Sequence, residues 1–320
     1  MKVLVAGGAG FIGNRVCEEL LAQGHAVLCV DNLITGTPAN IARLGESPDF
    51  ELRRQGVEDV ETTPVDLIIH LASPASPTDF DRIPLEIIRA NVLGTWRLLE
   101  IARETGAMLL YASSSEAYGQ AEVHPQPEGY FGNVDPTGPR ACYDESKRLG
   151  ETLVATYVRS FAVCARIIRI FNTYGPRMRP DDGRVVPEFI ISALRGQPLQ
   201  LHSGRLQTRS FCFVDDLVRG ILQVAFDPDN AGEVFNLGNP DEITIRHLAE
   251  AIVEVTGSAS SLIDALGRVQ DPIRRRPDIT KVSARYGWRP AIELREGIAR
   301  TIEWFEDPSN VGSATSALPA

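Results

Sequence analysis

Lys2-Val-Leu-Val-Ala6, followed at once by Gly7-Gly-Ala-Gly-Phe-Ile-Gly13, is the stretch on which the fold turns. The first five residues form a short apolar run, strand-like in length and composition. The glycines that follow permit a tight turn. Beyond them Ile12, Val16, Leu20 and Leu21 share one face of a helix that Gly24 stops. His25-Ala-Val-Leu-Cys-Val30 reads as a second buried strand, closed by Asp31. Strand, glycine turn, helix, strand and acid stand in the order of a dinucleotide site. The glycines let a pyrophosphate approach the helix N-terminus, and the acid accepts hydrogen bonds from a ribose. A carboxylate at Asp31 repels a 2′-phosphate, which favours NAD over NADP. Gly7, Gly10, Phe11, Ile12, Gly13, Asp31 and Asn32 are the candidate cofactor residues here.

Outward from this unit the strand and helix rhythm continues. Phe50 to Arg54 and Val65 to Ala72 read as strands. Pro84 to Thr105 reads as a long helix with Leu85, Ile88, Val92, Trp96, Leu99 and Ala102 as its apolar face. Ala107 to Ala112 is a further strand. This alternation predicts a parallel sheet covered on both faces. Ser73-Pro-Ala-Ser-Pro77 breaks the rhythm at a strand's C-terminal end, where ligands sit in such sheets. His70, at that strand end, reads as a structural histidine. Residues 120–140 form a Pro- and Gly-rich loop. Cys164 to Ile170, Gln207 to Val214 and the run at Phe235 read as strands. Asp215-Asp216 and Thr244 read as helix caps, and Trp288 to Phe305 as the last helix.

Tyr143-Asp-Glu-Ser-Lys147 carries the chemistry. Tyr and Lys four apart on a helix share a face. An ammonium beside a phenol favours the phenolate, which can take a proton from an alcohol. Ser113-Ser-Ser-Glu116 follows a strand, so its hydroxyls point to the cofactor crevice, where Ser114 can share that proton. A basic cluster at Arg274-Arg-Arg-Pro-Asp278 suits a phosphate ligand.

Bulk properties set the limits. The chain has 320 residues, enough for one large domain or two joined ones. With 43% hydrophobic and 23% charged residues it is ordinary for a globular protein. A net charge of −10 argues against nucleic acid or an acidic membrane as partner. No signal peptide and no membrane-spanning run is expected, and the five scattered cysteines fit a reduced cytoplasmic setting. No metal-ligand spacing is present.

These residues together resemble the extended short-chain dehydrogenase/reductase family of nucleotide-sugar epimerases, dehydratases and decarboxylases. The strings His70 to Pro77, Ser115 to Gly119 and Gly138 to Arg148 are most similar to its UDP-glucuronate decarboxylase branch. So are Arg169 to Arg177, Asp182 to Val186, Gln207 to Phe211 and Arg275 to Ile279. The resemblance implies an α/β fold: a doubly wound parallel-sheet Rossmann domain with a smaller interleaved α/β substrate domain. It places the first in 1–171 plus about 208–240, the second in about 172–207 plus 241–306, and a disordered tail in 307–320. It implies NAD as cofactor, held also by Leu71, Ala72, Tyr143 and Lys147, and a UDP-sugar as substrate. Tyr143, Lys147 and Ser114 would oxidise the sugar at C4; Ser115, Glu116 and Arg275 would act near C5. Glu116 beside a substrate carboxylate would be repulsive and favour loss of CO2. Asn172 and Arg209 would hold the diphosphate and Asp278 the uridine ribose, with Pro77, Arg177 and Gln207 lining the site. Family members pair as homodimers through a four-helix bundle, here the helices at 84–105 and 143–161.

Two positions depart from the family pattern. Gly56 stands where relatives carry an Asp near the adenine, and Ser203-Gly-Arg-Leu206 replaces a Gly-x-Gly turn. Competing readings are a 4,6-dehydratase, which uses an Asp-Glu pair where this chain has Ser115-Glu116, a 4-epimerase, and a non-catalytic nucleotide-sugar sensor.

Overall fold

The fold is taken from a computed structural model that describes residues 1–202, 207–265 and 274–311. Six strands come in the first half of the chain: β1 (Lys2–Ala6), β2 (Ala26–Val30), β3 (Phe50–Arg53), β4 (Leu67–His70), β5 (Met108–Ser114) and β6 (Ala165–Ile170). The chain then leaves the sheet and returns with Val234–Leu237. That strand adds to β6, and the order runs Val234–Leu237, β6, β5, β4, β1, β2, β3, every pair parallel. Side chains alternate faces along each strand, so β1 sends Val3 and Val5 into one core and Leu4 and Ala6 into the other. Helix α1 (Phe11–Ala22) and helix Val214–Ala225 cover the first face. Helices Thr95–Thr105 and Ala141–Phe161 cover the second. Two buried faces explain why these strands read as continuous apolar runs. The connections from β1 and β4 diverge, which opens a crevice above their C-terminal ends.

A second layer of short strands stands over that crevice. Leu199–His202 pairs parallel with Leu262–Ala265. Thr208–Ser210 lies between Glu242–Thr244 and Arg274–Arg275. Helix Ile245–Thr256 starts at Thr244, whose hydroxyl accepts the His247 N–H at 3.1 Å.

Several sequence expectations change. The stretch 207–214 is not one strand: Thr208–Ser210 and Cys212–Phe213 belong to different sheets, and Val214 begins a helix. Asp215 and Asp216 therefore lie in that helix's first turn, behind Phe213 as its cap. Thr208–Ser210 is bonded to Glu242–Thr244 and Arg274–Arg275. The helix expected over 288–305 is Leu294–Glu306, and Trp288 is core rather than helix. Of the apolar face expected along 84–105, Leu99 and Ala102 are buried, while Leu85, Ile88 and Trp96 face outward. A π-helical segment interrupts the helix at Arg89–Gly94, and the buried face runs instead through Ile87, Leu98 and Ile101. The expected tail begins with a helical turn, Pro308–Val311. Its remainder and the turn at Ser203–Leu206 lie outside the described residues.

Candidate active site

A cavity of about 300 Å³ fills the crevice. On its floor the glycine turn is held by close backbone packing. A Cβ on Gly13 would lie 2.0 Å from the Gly7 carbonyl oxygen, and one on Gly7, at φ +83°, would lie 2.7 Å from Ala72 Cα. No side chain fits between these segments, so the turn can take a phosphate only with glycine there. Gly10 caps α1 with no side-chain acceptor, leaving the helix N-terminus open to an anion. Gly7, Gly10, Phe11, Ile12, Gly13 and Leu71 all line the cavity. Asp31, at the end of β2, accepts the Ala9 N–H at 2.9 Å and the Leu33 N–H at 2.8 Å. Burial raises its pKa, and these two donors pull the other way. Asp31, Asn32 and Ala72 line a smaller cavity that adjoins the glycine turn. The cradle and its single buried acid fit a dinucleotide.

Helix Ala141–Phe161 brings Tyr143 and Lys147 to the opposite wall, beside Ser114 from the end of β5. Burial pushes the Tyr143 phenol up to about 12, while hydrogen bonding from Ser114 lowers it. Lys147 stands on the same side as the Tyr143 ring. Its Nζ sits 5.7 Å from the Tyr143 ring centroid and donates to the Ala112 carbonyl at 2.8 Å. Burial holds Lys147 itself down to about 7. Phe80 stacks on Tyr143 at 5.1 Å and fixes the ring. His70 is structural: buried, held near 3 by burial and then Lys147, with Nε2 3.1 Å from the Thr95 hydroxyl.

Ser115 and Glu116 complete the wall. Glu116 is paired with two guanidiniums. Arg140 Nη2 at 2.9 Å and Arg275 Nη2 at 3.1 Å both reach its Oε2. Burial pushes Glu116 up, but Arg275, Arg140 and Arg209 outweigh it and hold the carboxyl at about 2. Arg275 is 1% exposed and also donates to the Gly119 carbonyl at 3.0 Å. Buried Gln126 sets its position, bonding to Arg276 N and O and to Asp278 N on either side.

Pro77, Asn172, Arg177, Gln207 and Arg209 line the cavity as well. Arg177 turns to α1, donating to Asn14 Oδ1 and Glu18 Oε1, both at 2.5 Å. Asp278 is not brought to the cavity; its Oδ1 accepts the Thr280 N–H at 2.9 Å. Three residues without an assigned role also belong to this assembly. Arg140 and Arg184 line the cavity, Arg184 paired with Asp182. Buried Asp144 lies 3.8 Å from Arg140, with Oδ1 lacking a hydrogen-bond partner. Burial, and next Glu116, raise Asp144 to about 7. The signal for Arg140 was its place three residues before Tyr143; no local pattern marked Asp144.

Comparison with known proteins agrees with this geometry. The model of the NAD dependent epimerase/dehydratase family matches residues 3–238. UDP-glucuronic acid decarboxylase 1 of Xenopus tropicalis is 44% identical over 304 residues, covering 95% of this chain and 72% of that protein. UDP-glucuronic acid decarboxylase 5 of Arabidopsis thaliana is 44% identical over 306 residues, covering 95% and 89%. Among solved structures, UDP-glucuronic acid 4-epimerase from Bacillus cereus, in complex with UDP-glucuronic acid and NAD, superposes with TM-score 0.87. It is 27% identical, over 96% of this chain and 99% of that one.

Proposed function

The chain belongs to the NAD-dependent epimerase/dehydratase family, and from that premise we propose that it decarboxylates UDP-glucuronate to UDP-xylose through a 4-keto sugar. The observation that carries this reading is one cavity holding both a Tyr143–Ser114 pair and a carboxylate braced by two guanidiniums. The first oxidises an alcohol; the second handles charge at the neighbouring carbon.

The glycine turn and Asp31 would hold NAD, which when bound would supply the hydride acceptor for C4 and the donor for the return step. Tyr143 takes the proton of the 4-hydroxyl, with Ser114 sharing the hydrogen bond. A ketone at C4 makes the substrate a β-keto acid, so CO2 leaves as its electrons pass into the carbonyl. The enolate left at C5 and O4 is stabilised by Arg275 and Arg140, whose charges exceed that of Glu116 by one. A proton reaches C5 on the side of Ser115 and Glu116, and Tyr143 returns its proton to O4. Asn172, Arg209 and Gln207 hold the diphosphate, for which Arg offers forked donors.

The proposed assembly is a homodimer through helices 84–105 and 141–161. It is supported by outward-facing Leu85, 71% exposed, and Trp96, 52% exposed, with Leu93, Leu149 and Phe161. No helix among the described residues is long and apolar enough to cross a membrane. The cytoplasm is the proposed setting, where the five free cysteines stay reduced.

The test is incubation with UDP-glucuronate and NAD followed by mass analysis. Loss of the mass of CO2 with no net NADH is expected; an unchanged sugar nucleotide would sink the reading. Tyr143→Phe should lower turnover by about 10³-fold and abolish the transient NADH absorbance.

A further inference from the structure

The smaller cavity, about 150 Å³, continues from the glycine turn past Asp31 to the end of β3. If Asp31 takes a ribose and the reacting end lies at Tyr143, this slot is where the dinucleotide's other base must go. Its sides are apolar, from Val57, Leu71, Ala72 and Ala90, which suits a flat ring. Beyond β3's end the cavity is lined by Gln55 and Glu58, and of these Glu58 carries the carboxylate.

Local structure explains how Glu58 comes to be there. Gly56 to Asp59 makes a single tight turn, closed by Asp59 N–H to the Gly56 carbonyl at 3.2 Å. Val57 anchors the turn in the core, so close to Gly94 that a Cβ there would lie 2.2 Å from Val57 Cγ1. With the turn pinned, the Glu58 side chain folds back over Gly56. A Cβ on Gly56 would lie 2.8 Å from Glu58 Oε2 and 2.9 Å from its Cδ. The Glu58 carboxylate thus occupies the space that a side chain at 56 would need. Arg89 Nε, 3.9 Å from Oε1, steadies it from the rim.

We propose that Glu58 reads the base of the bound dinucleotide by accepting a hydrogen bond from its exocyclic amino group, and that Gly56 leaves it the room to do so. An ionised carboxylate is acceptor-only. It therefore favours a ring bearing an amino group, as in adenine, and opposes one bearing a carbonyl oxygen at the same place. The absent side chain at 56 is thereby replaced by one two residues on, and recognition at the end of β3 is kept.

The proposal rests on NAD being the cofactor. Its test compares the dissociation constants of NAD and nicotinamide hypoxanthine dinucleotide, which carries oxygen in place of the 6-amino group. These are measured by calorimetry on the wild-type chain, Glu58→Gln and Glu58→Ala. UDP is titrated alongside to report that each variant is folded. Wild type should prefer NAD by at least about tenfold. The preference should collapse towards one in Glu58→Gln, whose amide can present either group, and in Glu58→Ala, which should also bind NAD more weakly. Equal wild-type affinities, or a preference that survives in both variants, overturns the role of Glu58. A wild-type chain that binds UDP but neither dinucleotide overturns the cofactor reading as well.

Discussion

The two sides of the cavity are built by opposite means. The cofactor side is local: Asp31 and the Ala9 N–H that it holds are 22 residues apart, within one strand, turn, helix and strand unit. Its recognition is mostly backbone, and what it requires of side chains is that they be absent. The substrate side is assembled: Glu116 and Arg275 meet across 159 residues, and Arg140 comes from a third element. Its recognition is charge, set by how many guanidiniums surround one carboxylate. The difference teaches that the glycine-turn side of the cavity is carried by a contiguous motif, whereas the charged side depends on the fold closing over it.

Variants can break either side without the other. After the loss expected from Tyr143→Phe, the largest effect is expected from Gly13→Ala, whose added methyl would lie 2.0 Å from the Gly7 oxygen. NAD affinity should fall roughly 100-fold while UDP affinity holds, since misplacement by an ångström is that costly. A calorimetric titration with each nucleotide reads both. Next comes Arg140→Gln. Removing one of the guanidiniums on Glu116 should cost roughly tenfold in turnover, within the range for a charged hydrogen bond. NAD binding should be unchanged. Glu116 loses part of what holds it near 2, so the acid limb of the pH–rate profile should move towards neutral pH. An unmoved limb would place Arg140 outside the charge balance.

The smallest effect concerns Asp144. Its carboxyl stands at about 7 in the fold against 3.8 as the ordinary value. Between those values the folded state binds the extra proton, so wild-type stability falls as pH rises from about 4 to 7. Asp144→Asn has no charge to bury. Its stability advantage should therefore grow between pH 4 and pH 8, as read by denaturant titration. A difference that stays flat with pH would show that Asp144 does not titrate in the fold.

Much of the fold was legible because continuous apolar runs and glycine turns are local. β1, α1 and β2 stand where their residues indicated, and Thr244 caps its helix as read. Where reading failed, a non-local interaction had intervened. Along 84–105 the core packs on Ile87, Leu98 and Ile101 and leaves Leu85, Ile88 and Trp96 outside. Thr208–Ser210 and Cys212–Phe213 were split between sheets because their partners come from segments before and after them. In the site, Tyr143, Lys147 and Ser114 were recognisable by type and spacing. Asp144 was not, since its perturbed carboxyl results from burial and from Glu116 on another element.

What the sequence by itself determined is the dinucleotide cradle, the Tyr143–Lys147 face and the parallel sheet that joins them. Each rests on backbone geometry within a short span. Only the tertiary structure decided the electrostatics: that Glu116 is neutralised by Arg140 and Arg275, that Lys147 turns to a carbonyl, and that Glu58 fills the place beside Gly56. Such outcomes depend on desolvation and on charges from distant segments, and those are properties of the closed fold rather than of any one stretch of chain.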